Sequence, residues 1–219
     1  MNVFDIIGPV MIGPSSSHTA GACRIGRVAR HILDDVPAAA RISLCGSFAE
    51  TGRGHGTDRA LAAGILDMNS DDDRLPHSLE LAEKAGVAIR FDTMDLPGAH
   101  PNTAVVRLTG RRGGTCSVRA SSVGGGNIRV DEVNGLPVSF TGQYNTLIIL
   151  HTDEAGAIAN VSGYIAGQGV NIATFACTRE VKGGDSIMTV EIDGVLTDGQ
   201  LAHMRTLPAI HNVIQVKRI

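Results

Sequence analysis

The clearest pattern of apolar and polar positions lies at the C-terminal end of the chain. Thr146 to His151 is an apolar run of strand length, and Thr152-Asp153-Glu154 after it has helix-start chemistry. Ile158, Val161 and Ile165 recur at spacings of three and four, one stripe of an amphipathic helix that Gln168-Gly169 stops. Asn171-Ile172 opens a second strand running to about Glu180, Lys182 to Asp185 is a turn, and Ser186 to Ile192 alternates with period two. Thr197 to Thr206 reads as a second helix ended by Pro208, and Val213 to Val216 as a last strand. The order is βαββαβ, the ferredoxin-like plan, over residues 146–219.

Residues 1–142 follow another pattern. Met1 to Pro14 is apolar and turn-rich, and 20–33 reads as a helix with Arg24, Arg27 and Arg30 as a solvated basic stripe. Ala40 to Leu44 is a short strand leading into a Gly-rich loop, and 57–67 and 76–85 read as helices. Strands are expected at Val87–Phe91, Thr103–Leu108, Thr115–Ala120, Ile128–Val133 and Leu136–Phe140. Asn134-Gly135 between the last two is a strong hairpin signal. The fold class expected is α+β: an N-terminal domain with antiparallel strands over 1–142, then the ferredoxin-like domain over 146–219.

Composition narrows the function. Hydrophobic residues make up 43% of the 219, enough for a real core, while aromatics are 3% and the net charge is −3, which gives no electrostatic footprint for nucleic acid. The acidic run Asp71–Asp73 reads as a solvated loop. No stretch approaches the ~20 apolar residues of a membrane span, and the N-terminus lacks signal-peptide character, so a cytoplasmic location is expected. Cys23, Cys45, Cys116 and Cys177 form no C-x-x-C pair; they read as small buried hydrophobes rather than ligands of a metal or cluster in this chain. The three lysines, Lys84, Lys182 and Lys217, are poorly placed for a Schiff base, so pyridoxal phosphate is not expected.

Three loops of the N-terminal part collect polar residues. Gly13-Pro14-Ser15-Ser16-Ser17-His18-Thr19 leads into a helix; it is either capping chemistry or an anion site made of hydroxyls, backbone N–H groups and an imidazole. In Gly46-Ser47-Phe48-Ala49-Glu50-Thr51-Gly52-Arg53-Gly54-His55-Gly56-Thr57-Asp58, glycines flank His55 and leave it without side-chain cover. In His100-Pro101-Asn102-Thr103, proline holds His100 extended, and Asn102 could hold a carboxylate or an imidazole. Three loop histidines that meet in space would suit proton transfer near neutral pH. Three histidines could also ligate zinc, which nothing in their spacing supports. His31, His77, His203 and His211 fall in expected helices or their ends and read as surface or packing residues. In the C-terminal domain, His151, Asp153 and Gly156 lie between the first strand and helix, and Asn171-Ile172 opens the second strand. Helix N-terminal N–H groups there suit a carboxylate, and Asp153 with the Asn171 side-chain carbonyl suits an ammonium.

Taken together, GPSSSHT at 13–19, GRGHGTD at 52–58 and HPNT at 100–103 resemble the beta subunit of iron–sulfur-dependent L-serine dehydratases. Asp153-x-x-Gly156 with Gly169-Val-Asn171-Ile172 resembles an ACT domain, a small unit that senses an amino acid and reports to a catalytic partner. The first domain also resembles the allosteric-substrate-binding domain of some phosphoglycerate dehydrogenases. The resemblance implies a lyase that converts L-serine to pyruvate and ammonia, active only with an alpha chain that ligates a 4Fe-4S cluster. A base takes the α-proton, and iron acts on the leaving hydroxyl. Candidate catalytic residues are then His55, His18 and His100, with His55 first as the base. Substrate contacts would come from Ser15, Ser16, Ser17, Thr19, Thr57, Asp58 and Asn102. Effector contacts would come from His151, Asp153, Gly156, Asn171 and Ile172 across an ACT–ACT pair. Position 153 departs from the Asn that related dehydrogenase regulatory domains carry, which leaves the effector open. The alternative is a purely regulatory amino-acid-binding protein acting on an enzyme of serine metabolism.

Overall fold

A computed structural model describes residues 10–52 and 54–219. Most of Met1 to Pro14 therefore lies outside the described residues, as does Arg53. The chain forms two compact units, Met1–Asn134 and Gly135–Ile219. The division falls inside the Asn134-Gly135 turn, where both residues adopt the left-handed conformation that a tight hairpin requires (φ 53° and 84°).

In the first unit a π-helical turn, Ser16–Gly21, runs straight into α1, Ala22–Leu33. Then follow β1 (Pro37–Leu44), α2 (Gly46–Thr51), α3 (Thr57–Ile65), a 3₁₀ turn (Leu75–His77), α4 (Ser78–Lys84) and the strands β2 (Ala88–Thr93), β3 (Thr103–Gly110), β4 (Thr115–Gly124) and β5 (Asn127–Val133). Strand order within this unit is β2-β1-β3-β4-β5. β1 and β2 pair in parallel, with Ile42 opposite Phe91, and the remaining pairs are antiparallel. The parallel pair follows from the helical connection between the two strands, which a tight turn could not make. Ile25, Val28 and Ile32 of α1 and Leu61 and Ile65 of α3 are buried with Ile42, Val106, Val118 and Val130 of the sheet. Each such side chain contributes about 1.5–3 kcal/mol of burial.

Two expectations change here. The segment after β1 is not all loop: Gly46–Thr51 is a helical turn. Arg24, Arg27 and Arg30 do not form a free solvated stripe, because each is pinned to an oxygen: Gly126 O for Arg24, Asp67 and Asn69 for Arg27, and Asp35 O for Arg30.

The helices α1 and α3 touch backbone to backbone. A Cβ built on Gly64 would lie 2.0 Å from the Cys23 carbonyl oxygen, and one on Gly26 would lie 2.4 Å from that of Leu61. Only glycine at both positions permits this approach. α1 follows the His18 turn and α3 follows the His55 loop, so the crossing fixes the roots of both.

The second unit holds β6 (Leu136–Phe140), β7 (Asn145–Thr152), α5 (Ala157–Gly167), β8 (Ile172–Arg179), β9 (Asp185–Ile192), α6 (Asp198–Met204) and β10 (Ile210–Val216). The four-stranded sheet runs β10-β7-β9-β8, antiparallel throughout. From β7 onward this is the βαββαβ ferredoxin-like fold of an ACT domain. Its core joins Leu147, Ile149, Met188 and Val190 of the sheet to Val161, Ile165, Leu201 and Met204 of the helices. α6 begins with a full capping box between Thr197 and Gln200. His211 lies in β10 rather than at a helix end.

Candidate functional site

The first two loops meet. Ser15 caps the π-helical turn by accepting from the His18 backbone N–H at 3.2 Å, and its hydroxyl lies 3.4 Å from His18 Nδ1. His18 Nε2 lies 3.1 Å from both the Ser47 and the Thr51 hydroxyls of α2. The His18 ring packs edge-on against Phe48 and against His55, with centroids 5.3 and 5.0 Å apart. His18 is therefore a hub with both nitrogens engaged. His55 is different. Its backbone N–H donates to Thr51 O, its side chain is exposed, and its ring nitrogens have no hydrogen-bond partner among the described residues. Gly56 behind it has φ 72°, so glycine is required there by conformation rather than by space.

Burial first, and then the neighbouring His55, push the His18 imidazole below its ordinary value of 6.5. The unfolded chain takes up a proton on this residue near pH 6.5, and the folded chain resists until lower pH. The stability tied to neutral His18 is thus present above pH 6.5 and is lost as pH falls through the folded value. His31, also lowered, chiefly by burial, acts in the same direction. His18→Gln should accordingly flatten, without abolishing, the loss of stability between pH 7 and pH 5 in urea unfolding. An unchanged slope would show that His18 is not held neutral.

The remaining expected residues divide. Ser16 and Ser17 are half-buried in the π-turn. Thr19 and Thr57 are buried with hydroxyls that have no partner among the described residues. Asp58, in the first turn of α3, accepts from the Arg59 N–H. The third loop reaches α2 through its backbone: a Cβ on Gly46 would lie 2.8 Å from Pro101 O. Its histidine does not join the pair. His100 Nδ1 accepts from the Asn102 N–H at 3.1 Å, which leaves the proton on Nε2, and the ring lines a separate cavity with Arg119, Ser121, Arg129 and Asp131. Asn102 keeps its side-chain oxygen buried, without a partner among the described residues. The residues that sequence reasoning did not single out at the site are Ser47 and Thr51, whose only signal was their place in the Gly46–Asp58 run.

The thiols of this chain do not fit an iron–sulfur cluster, which needs several thiolates close together. Burial pushes Cys23 and Cys116 up to about 12 and raises Cys45. Cys177 is exposed, not buried as its sequence suggested, and stands in the other unit beside His151 Nε2 at 3.5 Å. Among the described residues no group of three His, Cys, Asp or Glu side chains could hold a metal ion, and no helix is long and apolar enough to cross a membrane.

In the second unit the expected effector residues sit at two ends of one sheet. His151 is buried, with Nδ1 2.7 Å from Thr152 O. Asp153 pairs with Arg179 at 2.6 Å and accepts from the Gly183 N–H, which together hold its carboxyl below the usual range. Gly156, at φ 95°, precedes α5. Asn171 lies at the far end, where its side chain donates to Asp193, next to Ile172 opposite Ile192.

Comparison with known proteins agrees with the architecture. A family model described as "Serine dehydratase beta chain" matches residues 2–84, which include the His18 and His55 loops. The probable L-serine dehydratase beta chain of Bacillus subtilis (strain 168) is 41% identical over 218 residues, 100% of this chain and 97% of that one. The L-serine dehydratase beta chain of Peptoniphilus asaccharolyticus is 40% identical, covering 90% of this chain and 89% of that one. A D-3-phosphoglycerate dehydrogenase of B. subtilis is 28% identical over 133 residues, 61% of this chain and 25% of that enzyme. With identity at this level running the length of both partners, through the paired histidine loops and the ferredoxin-like unit alike, the chain belongs to the serine dehydratase beta chain family.

Proposed function

We propose that this chain works with an alpha chain as an L-serine dehydratase, removing ammonia from L-serine to give pyruvate. The observation that carries this reading is the His18–His55 pair. One imidazole is fixed, its pKa lowered chiefly by burial, and the other stands exposed 5.0 Å away, its nitrogens without a partner among the described residues. His55 takes the α-proton of serine onto a ring nitrogen. His18, locked by Ser15, Ser47 and Thr51, holds the position of His55 and adds no positive charge beside it. Ser16, Ser17 and Thr19 contact the carboxylate. The 4Fe-4S cluster belongs to the alpha chain, and no step assigned to this chain passes through it. His100 lines a second cavity and, with Asn102, serves the substrate from the other side of the third loop.

The ACT unit regulates in the same reading. Asp153 and Asn171 lie at opposite ends of one sheet, so an amino-acid site using both needs two copies of the chain. The test is anaerobic co-expression with a cysteine-bearing alpha chain. The purified pair is expected to produce pyruvate from serine, and neither chain alone should do so. In the same system Asp153→Ala and Asn171→Ala should each abolish the serine dependence of activation, and a mixture of the two variants should restore part of it. A co-purified pair that makes no pyruvate would reject the enzymatic reading and leave the regulatory one.

A further inference from the structure

A small cavity opens between the first two loops, walled by Gly13, Pro14, Thr19, His55, Gly56 and Arg59 and closed by the apolar Leu75 and Pro76. Its volume is about 180 Å³, room for about six waters. That suits a small amino acid and is too tight for a nucleotide. Four features of its wall point to an anion. Thr19 is 1% exposed, yet its hydroxyl has no partner among the described residues. A Cβ on Gly13 would lie 2.5 Å from that hydroxyl, so glycine keeps the wall thin at this point. Among the described residues, none that lines it is acidic. Arg59, which stays charged at any physiological pH, has no ion pair or hydrogen bond for its guanidinium among the described residues, whereas Arg24, Arg27 and Arg30 are each tied to an oxygen.

We infer that Arg59 is the residue that recognises the substrate's carboxylate. This deepens the function proposed above and rests on it. The planar guanidinium takes both carboxylate oxygens, and the Thr19 side of the cavity receives the same end of the ligand. An amino acid anchored in this way presents its α-carbon to His55, which lines the same cavity. Arg59 is then a substrate-binding residue that sets specificity for free amino acids over their uncharged derivatives.

The test compares wild type, Arg59→Met and Arg59→Lys as co-purified two-chain enzymes. Arg59→Met should raise KM for L-serine about 10- to 100-fold with a smaller change in kcat. Arg59→Lys should recover part of the loss, because a lysine supplies charge without the bidentate fork. L-serinamide, which lacks the carboxylate charge, should compete poorly against serine in wild type and equally well in Arg59→Met. Unchanged KM in both variants, with wild type active, would overturn the assignment while leaving the proposed function standing. So would a weaker alpha–beta complex by sedimentation with KM unchanged, which would make Arg59 a partner contact. Should Arg59→Met fail to fold by circular dichroism, Arg59→Lys alone decides: a KM equal to wild type rejects the proposal.

Discussion

Replacing His55 by alanine is expected to lower serine turnover of the two-chain enzyme about 10²- to 10⁴-fold, the usual worth of a positioned general base. KM should change little, because the carboxylate contacts proposed for Ser16, Ser17, Thr19 and Arg59 remain. The expectation comes from the asymmetry of the pair. His18 has its nitrogens committed to three hydroxyls, and taking a proton would disturb that network. His55 has no such commitments, and its glycine neighbours leave it open to a ligand. Folding should be nearly unaffected, since the side chain is exposed. Stopped-flow or steady-state pyruvate formation reads the effect, and full turnover by His55→Ala would remove His55 from the role of base. His18→Asn makes a useful companion. It keeps a polar group near Ser47 and Thr51 but loses the ring packing on His55, so it should lower kcat through a less defined His55 and also lower stability.

The ferredoxin-like unit was legible because its signals act locally: Val161 and Ile165 on one helix stripe, the strand-forming run 186–192 and the stops at Gly169 and Pro208; Ile158, expected on that stripe, is exposed, and 186–192 is buried throughout rather than alternating. The first unit was legible in its strands and less so in its links. Gly46–Thr51 read as loop because glycine and serine open it, yet Cys45 O accepts from Phe48 and Ala49 and winds a turn there. The parallel pairing of β1 with β2 depends on residues about fifty apart, which no local pattern records. At the site, motif order singled out His18 and His55, but not that they touch or that His100 turns to another cavity. Those facts depend on where helices cross. The exposure of Cys177 escaped for a related reason: it lies on β8, an edge strand, and edge position is a property of the sheet rather than of the residue.

That crossing is itself open to test, and Gly64→Ala is the sharpest probe of it. A methyl at Gly64 would meet Cys23 O at 2.0 Å, Arg27 N at 2.7 Å and Gly26 Cα at 2.9 Å. All three are backbone atoms of α1, so no side chain can swing away. The two helices must separate, and the buried packing around Ile25, Val28 and Leu61 loosens with them. Overpacking of this kind costs about 3 kcal/mol at the upper end of its usual range, or roughly 6–12 °C in Tm for a chain of this size. Helix propensity alone argues the other way, since alanine is better than glycine inside a helix by about 1 kcal/mol. Gly163→Ala in α5 isolates that term, because a Cβ there meets nothing within 4 Å, and it should be neutral or stabilising. The same substitution chemistry is thus expected to give opposite signs in two helices of one chain. α1 and α3 also carry the His18 turn and the His55 loop at their N-terminal ends, so Gly64→Ala should lower turnover even at temperatures where the protein remains folded. Thermal unfolding and pyruvate formation on the two variants measure both effects. A Gly64→Ala protein as stable and as active as wild type would mean that the close crossing does not set the distance between the two histidines.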